Sequence, residues 1–251
     1  MTDRLDTAIE FCRVRYAISG SRAILSDLDL SVKTGEVFVL LGRSGSGKTT
    51  TLKLINRLLE PNAGEILVEG RSTLSWDPIQ LRRSIGYAVQ DVGLFPHYTV
   101  EKNVALIPRA EGWEKARIAQ RVEEVLALVG LPSVEFANRY PHELSGGQRQ
   151  RVGLARAIAA KPPVLLMDEP FGALDPLTRG EIQREFAALH TKLGTTVLFV
   201  THDVAEALLL ADRIALFDAG KIVGIFTPDE FTHCTDARVQ PYLASIHQRP
   251  R

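Results

Sequence analysis

Net charge is what this chain most plainly lacks: thirty Lys and Arg residues are cancelled by thirty Asp and Glu over 251 residues. Without a basic excess there is no global electrostatic footprint for DNA or RNA, and no nucleic-acid partner is expected. Cysteine is scarce. Cys12 and Cys234 stand alone, with no C-x-x-C or metal-ligand spacing, which excludes a disulfide framework and fits free structural thiols in a reducing compartment. Long apolar runs are missing too, since the longest, Val197 to Val200 and Ala207 to Ala211, fall far below the roughly 18 residues that span a bilayer. Met1-Thr2-Asp3-Arg4 carries charge where a signal peptide has an apolar core. There is no internal repeat, low-complexity tract or sustained heptad pattern. What is present is a 45% hydrophobic, 24% charged chain, long enough for one large α/β domain with a full core or for two small domains. An intracellular chain that can dock on a membrane protein is expected.

Residues 7 to 41 alternate short apolar segments with turns at Ser19-Gly20-Ser21 and Lys33-Thr34-Gly35, which predicts β-structure. After Gly47 a helix is expected with Leu52, Ile55, Leu58 and Leu59 on one face, ended by Pro61-Asn62-Ala63-Gly64 and followed by a strand over Glu65 to Gly70. From Asp91 to Ala160 the pattern is mainly helical, with an apolar stripe of Ile118, Val122, Val125, Leu126 and Val129 closed by Gly130 and Pro132. A buried-strand run, Val164 to Met167, precedes a helix carrying Ile182, Phe186, Leu189 and Leu193 and stopped by Gly194; Val197 to Val200 is another core strand. Strands alternating with helices imply a parallel sheet covered on both faces. Asp203 and Glu206 make a capping-box pattern, and Asp218-Ala219-Gly220 reads as a hairpin turn. The expected division is a core of residues 1–90 and 161–228, a helical subdomain of residues 91–160, and a short tail of residues 229–251. The tail reads either as a docking helix or as a fraying end at Arg249-Pro250-Arg251.

The chemistry is concentrated in three stretches. Gly42-Arg43-Ser44-Gly45-Ser46-Gly47-Lys48-Thr49 follows the apolar strand Val37 to Leu41 and opens a helix. In that context glycines let backbone amides curl around phosphate oxygens, Lys48 neutralises β/γ charge and the Thr49 hydroxyl can ligate Mg²⁺. Asp168 and Glu169 end a core strand, where ligands bind in parallel sheets. Asp168 suits a Mg²⁺ ion and Glu169 an attacking water. Leu144-Ser145-Gly146-Gly147-Gln148 opens a helix carrying Val152, Ala155, Ile158 and Ala159. Its S-x-x-Q is a capping-box pattern. Two glycines in a first helical turn also suit close approach of amides to an anion, at a cost of about 1 kcal/mol each relative to alanine.

With these stretches in order, the chain resembles the nucleotide-binding subunit of an ATP-binding-cassette (ABC) transporter over roughly residues 8 to 228. The resemblance implies an α/β fold with a P-loop NTPase (RecA-like) core, an N-terminal antiparallel β-subdomain and an inserted helical subdomain. It implies ATP and Mg²⁺ as ligands, with Gly42, Ser44, Gly45, Gly47, Lys48, Thr49 and Thr50 on the phosphates. Leu144 to Gln148 resembles the ABC signature motif, in which Ser145, Gly146, Gly147 and Gln148 complete the ATP site of a second copy. Gln90 resembles the Q-loop glutamine that touches Mg²⁺, Asp175 the D-loop aspartate, His202 the switch histidine at the γ-phosphate, and Tyr16 the adenine-stacking aromatic. Thr49, Gln90 and Asp168 are thus the implied metal set, and Glu169, His202 and Gln90 the implied catalytic set. The other histidines, His97, His142, His190, His233 and His247, read as ordinary loop, helix-surface or tail residues.

Less widespread stretches narrow the branch. Ile55-Asn56-Arg57-Leu58, Asp77 to Arg83, Asp91 to His97 and Asp168 to Pro176 resemble the ATPases of osmoprotectant importers, which take up quaternary amines such as glycine betaine, choline or carnitine. Phe171 to Asp175 also occurs in importers of nitrate and sulfonates. The resemblance implies an ATP-sandwich dimer of two copies at the cytoplasmic face of the inner membrane, bound to permease subunits and served by an extracytoplasmic solute-binding protein. ATPases for other small solutes, such as sulfonate, nitrate or amino acids, and a soluble non-transport ABC ATPase are the alternatives. Many osmoprotectant ATPases carry a tandem regulatory domain after the hairpin; residues 229 to 251 are too few for one.

Overall fold

A computed structural model describes residues 6–18, 23–89 and 92–247. The chain divides into two compact units, one of residues up to Arg82 together with those from Thr196 onward, the other of Arg83–Thr195. In chain order the first unit contributes β1 (Thr7–Ala17), β2 (Ala23–Lys33), β3 (Val37–Leu41), α1 (Lys48–Ile55), β4 (Ala63–Val68) and β5 (Arg71–Ser72), and α2 (Pro78–Ser84) carries the chain onward. The second contains β6 (Ile85–Val89), α3 (Val100–Val104), α4 (Leu106–Ala110), α5 (Lys115–Leu128), α6 (Ser133–Phe136), α7 (Gly146–Ile158), β7 (Val164–Asp168) and α8 (Pro176–Leu193). The chain then returns through β8 (Thr196–Thr201), α9 (Val204–Leu210), β9 (Arg213–Asp218), β10 (Lys221–Phe226), α10 (Pro228–Thr232) and α11 (Gln240–His247). Among the described residues no helix is long and apolar enough to cross a membrane.

In the first unit, β2, β1, β4 and β5 form an antiparallel sheet. A second set centres on β3, which pairs in parallel with β8 on one side and β9 on the other, while β10 returns antiparallel to β9. All five residues of β3 are buried, so its unbroken apolar run reflects a strand covered on both faces. The β9–β10 connection has Ala219 and Gly220 both at positive φ, the geometry of a two-residue hairpin turn that keeps the strand twist. Arg213 holds Glu36 at 2.5 Å, which ties the start of β9 to the turn before β3.

The helix after Gly47 is shorter than its apolar repeat suggests. It ends at Ile55, so Leu58 and Leu59 do not extend its face, and Leu58 is half exposed. Arg57 turns left-handed, with φ 53, and the N–H groups of Leu58 and Arg57 donate to the Lys53 and Leu54 carbonyls at 2.8 and 3.2 Å. This is a Schellman closure with arginine where glycine is usual. Arg82 stabilises it by donating to the Asn56 and Arg57 carbonyls at 3.2 and 2.7 Å, and the Arg57 guanidinium donates to the Trp76 carbonyl. The stretches Ile55–Leu58 and Asp77–Arg83, read separately in the sequence, are therefore two halves of one bracket.

In the second unit β6 and β7 run parallel, with Val89 opposite Asp168. The expected stripe on α5 is buried at Ile118, Val122, Val125 and Leu126. Arg121, on the same helix, is also buried; it donates to the Ile158 and Ala159 carbonyls at 2.9 Å each and pairs with Glu124 at 2.7 Å. It thereby satisfies the last carbonyls of α7, which a buried helix end cannot leave bare. The tail segment is ordered by Phe231 and Val239, both fully buried, and α11 packs on α9.

Candidate nucleotide-binding site

The phosphate-loop residues lie where β3 ends. The Gly42 N–H donates to the Thr201 carbonyl at 3.3 Å, so the loop leaves the sheet beside the end of β8, and exposed His202 follows directly. Gly45 and Gly47 take φ of 78° and 111°, conformations that L side chains avoid. Gly42 is required for a different reason: a Cβ there would strike the Phe217 carbonyl oxygen. Behind the loop, the Gly220 N–H donates to the Ser46 carbonyl at 2.9 Å and the Ser26 N–H to the Gly220 carbonyl at 3.2 Å. The loop is thus clamped from the rear by the β9–β10 turn and β2.

Its front suits an anion. Gly47 caps α1 with no side-chain hydrogen bond, and the first turn holds no acid, so the positive end of the helix is left for a ligand. Lys48 is buried, and its ammonium donates to the Gly42 and Arg43 carbonyls at 2.7 and 2.8 Å. Those are bonds a phosphate can replace. Ser46 Oγ is buried with no hydrogen-bond partner, one more donor held close to the loop. Ser44 is exposed, while Thr49 and Thr50 are half-buried on α1. Tyr16, half-buried on β1 opposite Leu25, lies in the same unit.

In the second unit β7 delivers Asp168 and Glu169 to its C-terminal end, both half-buried. Glu169 has φ 45, a backbone state that costs a non-glycine residue about 1–3 kcal/mol. The chain turns sharply there, with the Gly172 N–H on the Glu169 carbonyl at 3.1 Å. Phe171 anchors the turn in the core against Phe186, and Arg179 donates to the Phe171 and Leu174 carbonyls at 3.2 and 3.0 Å. Tyr87 on β6 is pushed up to about 12 by burial and by the Asp168 carboxylate. Asp175 caps α8, accepting from the Leu177 and Thr178 N–H groups at 3.2 and 3.1 Å. The Thr178 hydroxyl and these amides hold its carboxyl below the ordinary range. Gln90 lies outside the described residues.

The signature-like stretch carries the full capping box. Ser145 Oγ accepts from the Gln148 N–H at 3.2 Å, and Gln148 Oε1 accepts from the Ser145 N–H at 2.9 Å. The two glycines differ. A Cβ at Gly147 would lie 2.7 Å from Thr178 Cγ2 on α8, whereas one at Gly146 would meet nothing within 4 Å. Gly147 lets two helices approach; Gly146 has no such duty. The Asp203–Glu206 pattern resolves into separate jobs: Asp203 caps α9 through the Ala205 N–H, and buried Glu206 accepts the Thr201 hydroxyl at 2.6 Å. Sequence reasoning passed over Arg121, Arg82 and Arg156, which donates to the Val92 and Gly93 carbonyls. Arg121 is buried, Arg156 half-buried and Arg82 exposed, so what they share is a set of backbone carbonyls far away in the chain, and that is not written in spacing.

A glycine loop joining a buried parallel strand to an uncapped helix, with an acidic strand end and a serine-capped glycine helix elsewhere in the chain, defines a P-loop nucleotide-binding cassette. Residues 25–172 match the family described as ABC transporter, and the chain belongs to that family. It is similar to the osmoprotectant import ATP-binding protein OsmV of Salmonella typhimurium, 54% identical over 206 residues, 82% of this chain and 54% of the relative. The glycine betaine/carnitine/choline transport ATP-binding protein OpuCA of Bacillus subtilis is 49% identical over 218 residues, 87% of this chain and 57% of the relative. The chain spans little more than half the length of these curated relatives. A dimeric ATP-binding cassette solved in a post-hydrolysis state with ADP and Pi matches with a TM-score of 0.77 at 33% identity, over 88% of this chain and 98% of that one. The fold is that of the family.

Proposed function

We propose that this chain is the ATP-hydrolysing subunit of an importer for quaternary-amine osmoprotectants. The observation that carries the nucleotide half of the reading is Lys48, buried at an uncapped helix start with its ammonium resting on carbonyls of its own loop. Gly42, Gly45 and Gly47 let the backbone approach phosphate, with Ser44 and Thr50 at its edge, and Tyr16 stacks on the adenine. By the family resemblance, Thr49, Asp168 and Gln90 would hold Mg²⁺, which would supply charge neutralisation for the β- and γ-phosphates. Glu169 orients the attacking water and His202 contacts the γ-phosphate.

Ser145, Gly146, Gly147 and Gln148, with Asp175, act on a second copy, so that two chains enclose two ATP molecules. The dimeric assembly described for the solved cassette supports this. Opening and closing of the pair drives permease subunits at the cytoplasmic face of the membrane, which receive solute from an extracytoplasmic binding protein. The solute class rests on the names of the relatives at about half identity. The test is uptake of labelled glycine betaine, choline and carnitine at high osmolarity in cells carrying the wild-type chain or Glu169→Gln. Loss of uptake in the variant is expected; unchanged uptake overturns the solute assignment and turns the search to sulfonate, nitrate or amino acids.

A further inference from the structure

Beside the phosphate loop lies a groove of about 200 Å³ whose lining carries charge of both signs. Arg43 of the loop, Asp218 at the end of β9, and Arg238 and Tyr242 of the tail line it, together with apolar surface from Leu216, Val223 and Pro241. The two arginines differ. Arg238 is engaged by Asp236, through Nε at 3.0 Å and Nη2 at 2.6 Å. The Arg43 guanidinium and the Asp218 carboxylate, both on exposed residues, make no ion pair or hydrogen bond with another described residue. The Tyr242 phenol, which burial pushes up, feels both of these charges, Arg43 pulling it down and Asp218 adding to the rise. Two opposite charges thus face one groove without neutralising each other.

Size and lining together define the occupant. Sites for drug-sized ligands run to roughly 300–1,000 Å³, so this groove suits a molecule of a few carbons rather than a nucleotide. An unpaired guanidinium calls for a carboxylate. A primary ammonium group would bring three N–H donors to a groove with one unpaired carboxylate and apolar walls. A quaternary ammonium has no N–H to satisfy and is held by a negative charge with aromatic and apolar surface, the combination that Asp218, Tyr242, Leu216 and Val223 offer. Both walls are fixed before any ligand arrives. Val239 is fully buried, Gln240 Nε2 donates to the Cys234 carbonyl at 2.6 Å, and α11 packs on α9. On the other side the Gly220 N–H of the β9–β10 turn holds the Ser46 carbonyl at 2.9 Å.

We propose that the groove between the phosphate loop and the tail binds a small zwitterion bearing a carboxylate and a quaternary ammonium group, the first on Arg43 and the second between Asp218 and Tyr242. That this zwitterion is also the imported solute rests on the proposed function; the site itself is read from its lining. The test is calorimetric titration of the purified full chain with glycine betaine, with choline, which lacks the carboxylate, and with tert-butylacetate, in which carbon replaces the charged nitrogen. Glycine betaine is expected to saturate one site per chain and to bind about tenfold or more tightly than either analogue, the effect of one charged contact. Arg43→Gln and Asp218→Asn, both at exposed positions, should each weaken it about tenfold or more with the melting temperature unmoved. Absence of saturable binding, equal binding of the three compounds, wild-type affinity in either variant, or a loss that follows a lowered melting temperature overturns the proposal. Uptake is a separate outcome: a chain that binds glycine betaine but powers no uptake keeps the groove and loses the importer reading, and one that powers uptake without binding loses the groove alone.

Discussion

The phosphate loop and the start of α7 are both glycine-rich openings to helices, yet they are built on different plans. In the loop the glycines are demanded by the chain itself, through φ of 78° at Gly45 and 111° at Gly47 and through the Phe217 carbonyl beside Gly42. The helix that follows has no side-chain cap. At α7 the cap is complete, supplied by Ser145 and Gln148, and Gly147 is explained by α8 packing against it. Gly146 is left with neither reason. A substitution in the loop thus disturbs fold and ligand together, while Gly146 separates them.

The two helices end alike. The closing carbonyls of α1 are taken by Arg82, which is exposed, and those of α7 by Arg121, which is buried. The same device sits in water at one end and in the core at the other. A guanidinium lost from the core leaves carbonyls that water cannot reach.

Lys48→Ala should break the loop most severely, weakening Mg-ATP binding about a hundredfold or more, because a buried charge-assisted contact to phosphate is removed; equilibrium titration of the full chain measures it. Affinity within threefold of wild type, on the order of 0.7 kcal/mol, would refute the assigned role. Next comes the contrast between the helix ends. Arg121→Ala should cost about 2–4 kcal/mol of unfolding free energy and Arg82→Ala about 1 kcal/mol or less, read from urea midpoints at constant slope. Equal losses would mean that burial does not set the difference.

The smallest effect concerns the two glycines of α7. Gly147→Ala should destabilise by about 1–3 kcal/mol, since Thr178 also donates to Asp175 and cannot turn aside without loosening that cap. Gly146→Ala should leave stability unchanged or raise it by up to about 1 kcal/mol, as alanine suits a helix better. If its glycine serves an anion, ATP-dependent dimerisation seen by gel filtration falls all the same. Full dimerisation in Gly146→Ala would return that position to a purely structural account.

Much of this was legible in the sequence wherever cause is local. The apolar runs of β3, β7 and β8 read as strands because both faces are covered, and Gly194 marked the end of α8 because it adopts the left-handed turn, with φ 61. The loop Gly42–Thr49 could be recognised because its glycines answer to backbone geometry. The apolar repeat through Leu58 and Leu59 misled, because Arg57 closes the helix with help from Arg82 and Trp76, some twenty residues away in sequence. Of the candidate site residues, Ser145 was read both as a helix cap and for ligand chemistry, and it does cap α7; Asp175 was read for ligand chemistry alone, and it also caps α8.

The sequence by itself determined which residues are candidates for the chemistry and which segments form the core, because glycine conformations, charge types and hydrophobic periods are properties of neighbouring residues. Tertiary structure alone decided that Lys48 rests on the Gly42 and Arg43 carbonyls, that Arg121 closes α7, that Gly147 admits α8, and that Tyr242 of the tail and Arg43 of the loop line one groove. Each of these depends on two segments far apart in the chain meeting within bonding or packing distance, and no local pattern encodes the partner.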